Sequence, residues 1–411
     1  MAPWVLSRTW RSLKTDGVHT IKAGWVVDGR GSGIQENVLL EIAQGRIYRC
    51  DATPGVDGGV SDLDLSDCML IPGLIDSHVH LFMSGTADAA VREWQLNAPY
   101  RPMQAVIEKH LKQQLACGVA AVRDGGDYAG HVLRFQQTRP PGSRPAVTVH
   151  TAGRAWRCAG RYGRLIGRPP GNGQHLAQAV RVNQERVDHV KIVNSGLNSL
   201  KTYGKETAPQ FPLDELRAAV QAAAHQKRRV MVHVNGREPV RQSLDAGCHS
   251  IEHGFFMGMD NLRRLAASQA FWVPTACTMP GYAKHAGPGS READIARRNL
   301  DHQLEQMHQA RALGVKVAVG TDAGTIGVHH GRAVREEIKL LMDAGYSLPE
   351  AVQCATQHGA MLMGLPRAGV VAPGYRATLL ALPGGPQAFP ANLATPVWFM
   401  VDGRTVFDHR F

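Results

Sequence analysis

The chain has 411 residues, 44% of them hydrophobic, enough for a large buried core and one or two domains. Its 46 lysines and arginines exceed its 35 aspartates and glutamates by 11. The basic residues are nevertheless spread along the chain without a basic-aromatic motif, which argues against a nucleic-acid module and leaves solubility and a local preference for anions.

No apolar stretch reaches the ~20 residues that cross a bilayer, so no membrane partner is expected. Residues 1–8 lack a basic start followed by a long apolar region, and Arg8, Arg11 and Lys14 give only a weak organellar-targeting pattern. Seven cysteines, an odd number with no CxxC pair, point to free thiols in a reducing compartment. The expected location is the cytoplasm.

Residues 21–29 and 38–42 read as short β runs broken by glycines. The run at 71–80 is apolar and ends on His78 and His80. Side chains at i and i+2 of a strand share a side, so the two imidazoles can grip one metal ion. Alone, the pair is equally explained by a strand emerging into solvent.

Further apolar runs follow at 118–124, 146–150, 187–193, 230–233, 250–253, 271–275 and 315–322. Several carry a possible metal ligand: Lys191 between β-branched neighbours, His233, His253 and Asp322 at run ends. Helical patterning lies between them, at 213–227 and 292–313. Strands alternating with helices imply a parallel sheet with its functional groups at the C-terminal strand ends, and eight such units imply a (β/α)8 TIM-type barrel over 72–364. The α/β barrel interrupts a second texture, because β runs return at 377–382 and 396–403. Segments 1–71 and 365–411 are therefore expected to meet as a small composite β-sandwich domain. The Gly/Pro/Arg-rich stretch 157–173 reads as a barrel loop.

Pro72-Gly73-Leu74-Ile75-Asp76-Ser77-His78-Val79-His80, Val122-Arg123-Asp124-Gly125-Gly126, Val190-Lys191-Ile192, Ser250-Ile251-Glu252-His253-Gly254 and Gly320-Thr321-Asp322-Ala323-Gly324 together resemble the metal-dependent amidohydrolase superfamily. Within it the chain is most similar to the imidazolonepropionase-like and Xaa-Pro dipeptidase (prolidase)-like branch. The resemblance implies two divalent metal ions, with zinc expected. His78, His80 and Asp322 would hold one, His233 and His253 the other, and carboxylated Lys191 would bridge them. An unmodified Lys191 would imply a mononuclear site. The implied reaction is hydrolysis of an amide or peptide bond by metal-activated hydroxide, with Asp322 as the catalytic proton carrier.

Departures bear on the substrate. Asn235 stands where prolidase-like relatives often carry an aromatic residue, Gly160-Arg161-Tyr162-Gly163 replaces a Gly-Gly-His-Gly turn, and Ala377-Thr378-Leu379 replaces Ala-Asp-Leu. Gly236 occupies the place of the proton-shuttling glutamate of related deaminases, which disfavours deamination. Lactone or carbamate hydrolysis on the same scaffold stays open. A non-catalytic scaffold is disfavoured because every ligand position is filled.

Arg154, Arg157, Arg161, Arg164 and Arg168 crowd the loop after the third expected barrel strand (146–150), the third-strand loop, so a small anionic substrate bearing a carboxylate is expected. Candidate substrate contacts are Arg157, Arg161, Tyr162, Asn235 and His330. His150, His189 and His225 are read as satisfied or solvent-facing. Self-association into a homo-oligomer is expected.

Overall fold

The computed structural model describes residues 19–52, 61–140 and 145–410. The stretch read for leader and targeting signals lies outside them. Four strands precede Gly73: β1 (His19–Val27), β2 (Ile34–Ala43), β3 (Arg46–Ala52) and β4 (Leu63–Pro72). Nine short ones come next: β5 (Leu74–Val79), β6 (Val119–Asp124), β7 (Thr148–Thr151), β8 (Ala155–Trp156), β9 (Gly167–Arg168), β10 (His189–Val193), β11 (Arg229–Val234), β12 (Ser250–His253) and β13 (Phe271–Val273). Three more lie near the C-terminus, β14 (Leu379–Pro383), β15 (Trp398–Val401) and β16 (Arg404–Asp408).

The two strand-rich ends share one mixed sheet, ordered β16-β15-β14-β4-β1-β2-β3. β4 is its pivot, parallel to β1 and antiparallel to β14. Val38, Leu40 and Ile42 alternate inward along β2, the period-2 signature of a sheet with one buried face.

The remaining strands form two all-parallel sheets, β5-β6-β7 and β13-β12-β11-β10-β8-β9. β5 and β10 are buried along their whole length, as expected of parallel strands covered on both faces. Residues 315–322, expected as a strand, form no regular one, and the Val319 amide donates to the Cys354 carbonyl instead. The same residues still join the two sheets. Trp272 N donates to Lys316 O at 2.9 Å on one side, and Ser77 N to Val319 O at 2.8 Å on the other. Between β7 and β10, Asp188 N donates to Thr151 O at 3.0 Å. The loop expected at 157–173 contains β9, which pairs with β8 at the sheet edge.

The helical stretches appear as Leu213–His225 and Arg291–Ala312. The first stops short because Lys227 turns into the left-handed region, at φ +56°. The second starts at Ser290, whose side chain accepts the Ala293 amide proton. Its inward face carries amides: Gln303 donates to His253 O at 2.6 Å and Gln306 to Gly254 O at 3.3 Å, bracing the end of β12.

Gly118 leads into β6 with φ +77°, and a Cβ there would lie 2.3 Å from Leu380 Cδ2 on β14. Gly118→Ala combines left-handed strain with overpacking where the mixed sheet meets the parallel strands, and is expected to cost about 2–4 kcal/mol. Urea denaturation measures it; an unchanged midpoint would mean that Leu380 yields freely.

Candidate active site

β5 delivers His78, 1% exposed, and the next turn delivers His80. His78 Nδ1 lies 2.7 Å from Glu252 Oε2. Arg123 Nη2 donates to the other carboxylate oxygen at 2.7 Å, and Ser250 donates its hydroxyl proton to that same oxygen. Glu252 is thus an acceptor, so Nδ1 of His78 carries the proton and Nε2 keeps a lone pair. That Nε2 is buried and has no hydrogen-bond partner among the described residues.

The same logic applies to the other rings. His80 Nδ1 lies 2.9 Å from the Gly126 carbonyl, which can only accept, leaving Nε2 free. His233 places Nε2 3.2 Å from the Gly196 carbonyl, leaving Nδ1. His253 places Nδ1 2.7 Å from Thr275 Oγ1. Burial lowers the pKa of His80 to about 4 and of His233 to about 3, and depresses His78 and His253 well below the usual value, so all four rings are neutral.

Asp322 closes the group. Its Oδ1 stands 3.6 Å from His78 Nε2 and 3.4 Å from His80 Nε2, while Oδ2 accepts from the Thr325 hydroxyl at 3.1 Å. One donor atom from each of His78, His80 and Asp322 lies within 4.8 Å of the others. The remaining rings continue the row: centroids are 5.0 Å apart for His78 and His253, 4.6 Å for His253 and His233, and 5.0 Å for His233 and Tyr162.

Lys191 lies among them, 1% exposed, its Nζ without a hydrogen-bond partner among the described residues. After burial itself, its charge is a common cause depressing all four imidazoles. Burial also raises Asp322 to about 7 and lowers Lys191 to about 8. Neutral imidazoles with free lone pairs, a carboxylate and an unanswered buried amine form a donor set that fits divalent metal ions.

The expected substrate contacts fare differently. Tyr162, 38% exposed and beside His233, brings the third-strand loop to the donors. Arg157 donates Nη1 to Cys158 O at 3.1 Å within its own loop, and Arg161 donates Nη2 to Ala208 O at 2.8 Å, tying that loop to the segment after β10. Arg154 and Arg168 pair with Glu185. Asn235 accepts the Phe255 amide proton at 3.0 Å and donates to Gly196 O at 3.3 Å, which commits its side chain to holding main chain. His330 is 2% exposed, with Nε2 2.9 Å from Met83 O and its ring stacked at 4.2 Å on His110, a packed position within the wall.

Of the histidines set aside, His225 is exposed and His150 half-buried, but His189 corrects the expectation: it is buried with neither nitrogen paired among the described residues. Glu252, Arg123, Thr275 and Asp76 carry structure to which the sequence alone assigns no role. Asp76 accepts from Thr321 N at 3.0 Å and Thr321 Oγ1 at 2.7 Å, tying β5 to the turn that bears Asp322. For Glu252, Arg123 and Asp76 the available signal is charge inside otherwise apolar strand runs.

A profile of the amidohydrolase family matches residues 69–406. Ochratoxinase from Aspergillus niger is 25% identical over 348 residues, covering 77% of this chain and 71% of that protein. Imidazolonepropionase from Deinococcus deserti is 24% identical over 400 residues, covering 86% and 88%. A crystal structure of a Xaa-Pro dipeptidase with methionine bound in its active site superposes with a TM-score of 0.79 at 24% identity, covering 95% of this chain and 99% of that one. The family match spans all the donors described above, and the chain accordingly belongs to the amidohydrolase family and is an amide-bond hydrolase.

Proposed function

We propose that this enzyme uses two divalent metal ions, zinc being the expected species, to hydrolyse the amide or peptide bond of a small carboxylate-bearing substrate of the dipeptide or N-acyl amino acid type. The observation that carries this reading is Lys191, a buried amine without a partner among the described residues, set amid four neutral imidazoles and Asp322. With its pKa lowered to about 8, part of the Lys191 population is a free amine at neutral pH. Such an amine adds carbon dioxide and loses a proton, becoming a carbamate whose one negative charge is shared by two oxygens. His78, His80 and Asp322 would hold one ion, His233 and His253 the other, and carboxylated Lys191 both.

Ions bound there supply the positive charge that acidifies water and polarises a scissile carbonyl. Asp322 would take the proton of the attacking water and return it to the leaving amine, as a general base turned acid. Tyr162, open to solvent beside His233, contacts the substrate, and the Arg157 and Arg161 loop adds positive potential for an anion. The similarity to ochratoxinase and to a Xaa-Pro dipeptidase that binds methionine supports the choice of an amide next to a carboxylate.

The same reading places these residues on a (β/α)8 barrel over 72–364, with 1–71 and 365–411 as a composite β-sandwich domain. Its support is the pair of parallel sheets joined through residues 315–321 and the mixed sheet drawn from both ends. A cytoplasmic, self-associating enzyme without nucleic-acid or membrane partners completes the proposal. All seven cysteines are free, and no described helix is long and apolar enough to cross a membrane.

Four outcomes are expected. Metal-replete protein should hydrolyse members of a panel of dipeptides and N-acyl amino acids far faster than their methyl esters; equal rates would remove the carboxylate requirement. Elemental analysis should find about two ions per chain, and Glu252→Ala, which strands Arg123 and releases His78 Nδ1, should weaken metal binding about 10–100-fold. One ion per chain with full activity would sink the binuclear reading. Lys191→Ala should lose activity about 100-fold and recover part of it in millimolar acetate or propionate, which mimic the carbamate. Wild-type rates in that variant would make Lys191 a packing residue.

A further inference from the structure

Glu337 lies on the helix Arg332–Asp343 and is completely buried. Its carboxylate is answered by two main-chain groups: Ala276 N donates to Oε1 at 3.0 Å and Cys277 N to Oε2 at 2.8 Å. Those two amides directly follow Thr275, which has φ +50°. Left-handed backbone at a β-branched residue persists only where the surroundings over-determine it.

Thr275 in turn governs a ring. Its hydroxyl donates to the Pro274 carbonyl at 2.8 Å, and with its one proton so committed it must accept from His253 Nδ1, 2.7 Å away. His253 therefore carries its proton on Nδ1 and keeps the Nε2 lone pair. His253 itself has φ +68°, and Gln303 donates to both its carbonyl, at 2.6 Å, and that of Pro274, at 3.2 Å. The clamped turn also reaches the opposite donor group, because the Cys277 thiol donates to Thr321 O at 3.3 Å, one residue before Asp322.

We propose that Glu337 is a positioning residue for the active site: by clamping the Ala276 and Cys277 amides it holds Thr275 in the conformation that fixes the tautomer and aim of His253. The inference rests on the reading of His253 as a metal ligand. Neutralising Glu337 as Gln keeps its shape but turns an amide NH2 toward one of two N–H groups, so the turn loses one acceptor.

The test uses the full zinc-loaded chain. In equilibrium dialysis, Glu337→Gln should bind the ion assigned to His233 and His253 at least about 10-fold more weakly while retaining the ion at His78, His80 and Asp322. Thr275→Val, which removes the hydroxyl alone, should do the same, and Thr275→Ser should restore wild-type binding. Separately, 15N-histidine labelling, with the His253 signal identified by its loss in His253→Asn, should report Nδ1 protonation in the wild type and a mixture of states in Glu337→Gln. Unchanged zinc affinities and an unchanged His253 tautomer in Glu337→Gln and Thr275→Val, with only a lowered Tm, would overturn the proposal. If Glu337→Gln does not fold, the Val and Ser variants of Thr275 decide it. A wild type holding one ion, together with the expected tautomer change, would overturn the two-ion reading and leave the clamp standing.

Discussion

The pair of Arg123 and Glu252 takes two charges out of water into the space enclosed by β5, β6 and β12, and much of the site depends on it. Such a pair is costly to bury and is tolerated only when every remaining hydrogen-bonding position is answered. Here Arg123 also donates to Ser77 O at 2.7 Å and Ser250 Oγ at 3.0 Å, and Glu252 turns its second oxygen to His78. A buried ion pair that would otherwise only burden stability thereby dictates which nitrogen of His78 is protonated. The unpartnered lone pair on His78 Nε2, which faces Asp322 Oδ1 at 3.6 Å, results from that choice.

How much of this is legible in the sequence depends on the range over which each contact acts. His78 and His80 can be read because period 2 is local, and Lys191 because a lysine amid β-branched residues stands out. Arg123 and Glu252 sit in recognisable motifs, yet their pairing spans 129 positions and no local pattern announces it. Glu337 is harder still, since a glutamate on an amphipathic helix normally faces water. The third-strand arginines illustrate the opposite limit: a guanidinium that grips a carbonyl and one that grips a substrate are the same letter.

Backbone pairing is similarly divided. Residues 315–321 have the composition of a strand, but their hydrogen bonds are split between β5, β13 and the Cys354 carbonyl. The first half of β4 does not read as a strand because it exposes Asp64, Ser66 and Asp67, although Leu65 and Cys68 face inward. β4 matters nonetheless, since only Gly73 separates it from the strand that carries His78. Gly73 N donates to Thr378 O at 2.9 Å, and a Cβ at Gly73 would fall 2.6 Å from Thr378 Cγ2. The C-terminal segment thus helps fix the start of the strand that presents the first donors.

His253, Thr275 and Asp322 all adopt left-handed backbone without being glycine. Glycine at any of them would relieve the conformational cost, yet it would delete the very group the position exists to present. Selection for function and selection for thermal resistance therefore pull these three positions in opposite directions, and gains in stability must come from elsewhere in the fold. A search for a hardier version of this enzyme has its freedom in the mixed sheet and the outer helices, while His253, Thr275 and Asp322 are fixed at a conformation no stability optimum would choose.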